Sequence, residues 1–153
     1  MLACVVPDLL LALRRVGEVL VPLPKYQTRG SSGMDLHAAI KVKVSIPPLG
    51  RAKIPTGLSI AIPEKFEAQV RPRSGLAART GVTVLNAPGT IDSDFRGEVE
   101  VLLVNLSDAV VAIEPLERIA QLVLAPVARA ELIEVETLSD TARGGGGYGS
   151  TGS

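Results

Sequence analysis

Apolar residues along the chain recur with a period of two or in short bounded runs, and seldom at helical spacing. Lys41-Val42-Lys43-Val44-Ser45-Ile46 alternates as a half-buried strand does, and Pro47-Pro48-Leu49-Gly50 punctuates it. Residues 51–55, 58–62, 66–70, 82–85, 98–105, 110–113, 119–124 and 132–135 read as further strands. Pro and Gly fall between them at the short spacing of sandwiches and barrels. Pro is spread where it would disrupt long helices but is tolerated at strand edges and turns. One short helix is expected at Ser74–Thr80, with Ser74 as the cap of Gly-Leu-Ala-Ala-Arg. There is no internal repeat. The pattern predicts an all-β fold of short antiparallel strands.

At 153 residues the chain makes one domain. With two Phe, two Tyr and no Trp, its core must be built from Val, Ile, Leu and Ala. Sixteen Lys and Arg balance sixteen Asp and Glu, which argues against a nucleic-acid polymer as partner. The single cysteine, Cys4, excludes an intramolecular disulfide and a multi-cysteine zinc site. The single histidine, His37, excludes a histidine metal cluster within one chain. A reducing, cytoplasmic setting fits best. Residues 2–13 are largely apolar, but a membrane span needs about 20 such residues. Pro7 and Asp8 interrupt the run and Arg14-Arg15 follow it, the reverse of a secretory signal. A soluble protein with a short apolar leader before its first strand is expected, with no membrane partner.

The last eleven residues, from Arg143 through four glycines, Tyr148 and Gly-Ser-Thr-Gly to Ser153, contain little that offsets the entropy of ordering. Gly/Ser termini usually fray. Here, however, an arginine opens the stretch and an aromatic ring sits inside it. Glycine N–H groups and Ser and Thr hydroxyls are good phosphate donors, arginine adds a bidentate charge, and a tyrosine ring can stack on a base. The segment 143–153 therefore reads as a flexible arm that orders over a nucleotide, beside a folded domain at 1–142.

Four further segments are polar or Gly-rich inside the apolar pattern. Ser32-Gly33-Met34-Asp35-Leu36 sets Asp35 just before a strand, where a Gly-x-Asp turn taken alone is more often structural than functional. In Arg71-Pro72-Arg73-Ser74-Gly75, Arg73 and the Ser74 hydroxyl stand at a helix start, suited to a phosphate or to ordinary capping. Asn86 to Gly97 reads as two short strands around a Ser93-Asp94 turn, a hairpin with Asp92 just inside it and Phe95 beside the polar cluster. Arg118-Ile119-Ala120-Gln121 enters a strand.

Taken together and in order, these five segments resemble the five motifs of the trimeric dUTP pyrophosphatases (dUTPases), from about Pro22 to the C-terminus. The resemblance implies a β jelly-roll (β-clip) barrel assembled as a homotrimer. Active sites would lie at subunit interfaces, with each arm closing over a site formed by its neighbours. It implies hydrolysis of dUTP to dUMP and pyrophosphate with Mg2+, which cleanses the nucleotide pool and supplies dUMP for dTMP synthesis. Asp92 matches the carboxylate that activates water. Asp35 and Gln121 match residues that reach the metal through water, with no direct protein ligand expected, and Gln121 also contacts phosphate. Arg73, Ser74 and Gly75 would grip the phosphates. Arg143, Gly149, Ser150 and Thr151 of the arm would bind the substrate, with the arginine and hydroxyls at its γ end. Backbone groups around Asn86, Thr90, Ile91, Asp92 and Glu100 would pair with the uracil edge, Tyr148 would stack on its face, and Phe95 would lie under the deoxyribose. The family commonly carries Tyr at the place of Phe95 and Phe at the place of Tyr148; both changes keep a ring.

Two competing readings are weaker. The dCTP deaminases of the same fold place a general-base Glu ten residues beyond the hairpin aspartate, where this chain has Leu102. A non-catalytic jelly-roll binding module would be marked by loss of Asp92, Arg73 or the arm, and all are present.

Overall fold

In the computed structural model, which describes residues 9–147, the alternating segments become ten strands and one helix. One antiparallel sheet has the order β1 (Ala12–Arg15), β4 (Arg51–Ala61), β8 (Glu98–Asn105), β6 (Val82–Val84). A second has the order β2 (Met34–His37), β10 (Arg118–Pro126), β5 (Phe66–Arg71), β7 (Gly89–Ile91). The remaining pair is β3 (Val44–Ile46) with β9 (Val111–Ile113). Leu36 and Leu122 from the second sheet, Ile54, Leu58, Ile60 and Leu103 from the first, and Ile46 and Ile113 from the pair are all buried in one continuous cluster. The core is aliphatic, as the composition requires, and each such side chain contributes about 1.5–3 kcal/mol by leaving water.

Residues 51–55 and 58–62, expected as separate strands, run together as β4. The register moves from Pro55 opposite Glu100 to Ser59 opposite Glu98, so β4 carries a bulge there, with Gly57 at φ +69°. Side-chain bonds bridge the break: Thr56 Oγ1 donates to the Val99 carbonyl (2.6 Å), the Gly57 N–H to Glu98 Oε1 (2.7 Å) and Ser59 Oγ to the Arg96 carbonyl (2.7 Å). The bulge thereby anchors the start of β8 and the loop that enters it.

The helix α1 spans Ser74–Thr80 as expected and ends at Gly81 in the left-handed conformation. Its cap residue is Arg73, not Ser74, and no side chain caps it; Ser74 is the first helical residue and is exposed. The expected strand at 132–135 is absent. Residues 127–147 carry neither strand nor helix, and Leu132, Ile133 and Leu138 are 93%, 79% and 86% exposed. A short apolar run makes a segment competent for a sheet, but a strand without a partner leaves its backbone groups unpaired. Among the described residues no helix is long and apolar enough to cross a membrane.

Candidate active site

Asp92 follows β7 and begins the turn that leads to β8, in which the Phe95 N–H donates to the Asp92 carbonyl (3.2 Å). The strands flanking this turn are not a hairpin: β7 pairs with β5, whereas β8 pairs with β4 and β6. The turn is a crossing between sheets, which lifts its polar groups off both. Arg96 Nη1 ties the turn by donating to the carbonyls of Ser93 (2.7 Å) and Phe95 (2.8 Å). Beside it lies a cavity of about 280 Å3 lined by Thr90, Ile91, Asp92, Phe95 and Glu100 among others. Asn86, on the loop before β7, is exposed, with its amide beside Gly89.

The backbone of Glu100 faces away from β4. The Leu85 N–H donates to the Leu102 carbonyl (2.9 Å), so the main-chain groups of Leu102 face β6. By the two-residue repeat those of Glu100 face the same way, beyond Val84, the last residue of β6 that pairs with β8. Leu102 stands in register with Lys53 and offers no proton acceptor where a deaminase needs its base.

A second cluster gathers on β2, β10 and α1. Asp35 is 3% exposed; Arg73 Nε donates to its Oδ1 (2.9 Å) and Arg118 Nη1 to its Oδ2 (3.2 Å). Arg73 also reaches the Arg118 carbonyl (3.3 Å), and Gln121 stands directly across from Asp35 in the β2–β10 register. A β-carbon at Gly75 would meet nothing within 4 Å, so packing inside the protomer does not demand that glycine. The Arg73 carbonyl takes the N–H groups of Leu76 and Ala77, and those of Ser74 and Gly75 precede them at the open helix start. His37 lies next to the cluster; desolvation pushes its pKa below 6.5, Arg118 and Arg73 add to this, and Asp35 opposes it. Its Nδ1 is buried without a hydrogen-bond partner among the described residues.

The carboxylate of Asp35 has spare lone pairs for water, but both oxygens already hold guanidinium groups. Among the described residues no group of three His, Cys, Asp or Glu could cage a metal. Such a donor set fits magnesium held by ligand phosphates and water rather than by protein.

The two clusters are far apart within one protomer. Asp35, Gln121 and Arg71 form one cross-strand row, and Thr90 faces Gln69 two residues further along. From Asp35 to Asp92 the path crosses β10, β5 and β7 and moves four residues along the strands, about 20 Å in all at ordinary sheet spacings. That exceeds the length of a triphosphate. Arg143 is exposed and its carbonyl accepts the Gly146 N–H (3.1 Å). Tyr148, Gly149, Ser150 and Thr151 lie outside the described residues, as does Cys4. Arg118 opens one of the five motif segments but carries no role in the sequence reading, and Lys53 does not stand out in the sequence at all. Each touches a residue far away in the chain, so only strand register reveals it.

A family model described as dUTPase matches residues 20–152. The deoxyuridine 5'-triphosphate nucleotidohydrolase of Fusobacterium nucleatum subsp. nucleatum is 55% identical over 132 residues, covering 86% of this chain and 90% of that protein. Its counterpart in Cytophaga hutchinsonii is 57% identical over 130 residues, covering 85% and 84%. Among solved structures, the Staphylococcus bacteriophage 80alpha dUTPase with dUPNHPP has a TM-score of 0.83 at 26% identity, covering 94% of this chain and 99% of that one.

Proposed function

The chain belongs to the dUTPase family and its reaction is the hydrolysis of dUTP; on that premise we propose how its residues divide the work. Asp92 orients a water molecule and takes its proton as the water oxygen bonds to the α-phosphorus. The bond from that phosphorus to the bridging oxygen breaks, releasing pyrophosphate and leaving dUMP. The uracil and deoxyribose occupy the cavity beside Asp92. Main-chain groups of Asn86, Thr90, Ile91 and Glu100 address the base edge, and Phe95 lies beneath the sugar. A polar edge matched to uracil leaves groups unpaired against cytosine.

Arg73, Ser74 and Gly75 hold the phosphates, with Gln121 beside them. When bound, Mg2+ neutralises phosphate oxygens, and Asp35 and Gln121 would reach it through its waters. The arm, through Arg143, Tyr148, Gly149, Ser150 and Thr151, covers the substrate and excludes water, which strengthens each of these charge-assisted contacts.

The observation that carries this reading is the separation of about 20 Å between Asp92 and Asp35 along the strand registers. One copy cannot bring both clusters to a single triphosphate, which supports sites built between copies in a homotrimer. Exposed Leu132, Ile133 and Leu138 supply apolar surface for such association. The single cysteine favours a cytoplasmic setting.

The test is pyrophosphate release with Mg2+ from dUTP, dCTP, dTTP and UTP side by side. Release from dUTP alone is expected; release from none would overturn the reading, and release from UTP as well would assign Phe95 a weak hold on sugar choice.

A further inference from the structure

Lys53 on β4 and Glu100 on β8 are diagonal neighbours on one sheet face: Lys53 stands opposite Leu102, and Pro55 opposite Glu100. The Lys53 ammonium lies 2.9 Å from Glu100 Oε2. Both residues line the cavity that Asp92 and Phe95 also line. Among the described residues that line it, Lys53 is the one cation, against the carboxylates of Asp92, Glu98 and Glu100. Of these, Glu98 is already engaged by the Gly57 N–H. Lys53 and Glu100 are 64% and 35% exposed, so the pair adds little to folding stability.

The chemistry of the base gives the pair another use. A carboxylate only accepts hydrogen bonds. Uracil carries an acceptor at its 4-position, whereas cytosine carries an amino donor there. On the proposed reading the main chain of Glu100 addresses the base edge, and Glu100 lines the cavity that would hold the base. Left free, that carboxylate would repel uracil and welcome cytosine.

We propose that Lys53 is a positioning residue for base selection, drawing the Glu100 carboxylate against β4 and so withholding an acceptor from the 4-position of the base. This rests on the dUTP reading of the cavity. Lys53 does not touch the reacting atoms; it acts through Glu100.

The test compares kcat/KM for dUTP and dCTP, and inhibition of dUTP hydrolysis by dUMP and dCMP, in the full-length protein and in three variants. Lys53→Met should lower the dUTP-to-dCTP preference about five-fold, the scale on which an exposed ion pair biases a side chain. The loss should appear as a higher KM for dUTP and tighter inhibition by dCMP, with kcat held. Lys53→Arg should keep the original preference. Lys53→Met/Glu100→Gln should recover it, because an amide can also donate. An unchanged preference in Lys53→Met, or a double variant as unselective as Lys53→Met, would overturn the proposal. The monophosphate inhibition constants measure the same base preference should a variant turn over too slowly to assay. Absence of dUTP hydrolysis in the unsubstituted protein would instead refute the reaction itself.

Discussion

The Phe95 ring lies so close over Gly97 that a β-carbon added there would sit 2.5 Å from ring carbon Cζ and 2.9 Å from Cε2. Glycine at 97 therefore sets where the proposed sugar platform stands. The ring is 43% exposed and free to swing, so Gly97→Ala should move it at little cost, within about 0.5 kcal/mol of stability. Sugar discrimination should suffer instead: the preference for dUTP over UTP in kcat/KM should fall about ten-fold, the scale of a shifted apolar wall. An unaltered preference would show that Phe95 does not gate the 2′-hydroxyl.

The distance between Asp92 and Arg73 predicts complementation. Asp92→Asn should keep dUTP binding and lower turnover by at least about 10²-fold, the usual contribution of a positioned base. Arg73→Gln should be impaired through phosphate binding. In trimers assembled from equal amounts of the two, a site that takes Asp92 from one copy and Arg73 from another is intact about one time in four. Co-expression with different tags, followed by tandem purification that removes both parental homotrimers, should recover about one intact site in three. Mixed trimers as inactive as the two parents would show that both residues serve the same site from one chain.

How far the site is legible in the sequence follows from how local its determinants are. The bounds of α1 are readable because Gly81 and the flanking apolar spacing lie within a few residues of the helix. The polar cluster at Asp92 to Gly97 also stands out locally. That its two flanking strands join different sheets does not, because sheet choice is made by β4, β5 and β6 rather than by the turn. The β4 bulge depends on bonds from Thr56, Gly57 and Ser59 to residues some forty positions away. At residues 132–135 the short apolar run Leu-Ile-Glu-Val is genuine, but such a run does not say whether a partner strand exists. Arg118 against Asp35 and Lys53 against Glu100 are cross-strand contacts, invisible until register is known.

Asp35 holds two guanidinium groups from a buried position, and its charge should matter to the fold as well as to phosphate binding. Asp35→Asn keeps the shape and removes the charge, leaving Arg73 and Arg118 facing each other. Removing one partner of a fully buried pair costs about 3–5 kcal/mol. Arg118 is half exposed here, so a loss of about 1–3 kcal/mol is expected, read from the urea midpoint at constant m-value. An unchanged midpoint would mean that water replaces the carboxylate without penalty.

His37 gives the stability a pH dependence of definite sign. Desolvation, with Arg118 and Arg73 nearby, holds its folded-state pKa below 6.5, while in the unfolded chain it titrates near that ordinary value. As pH falls through about 6.5 the unfolded chain takes up a proton that the folded chain refuses, so the unfolded state gains and stability declines. The contribution is fully present above the unfolded pKa and is lost as pH moves down toward the folded one. His37→Gln has no proton to gain in this range, so its melting temperature should fall less than that of the unsubstituted protein between about pH 7.5 and 5.5. Carboxylates titrate mainly below that window and contribute equally to both proteins. Parallel declines would show that His37 is protonated as readily in the folded chain as in the unfolded one, and that its buried Nδ1 finds a partner once charged.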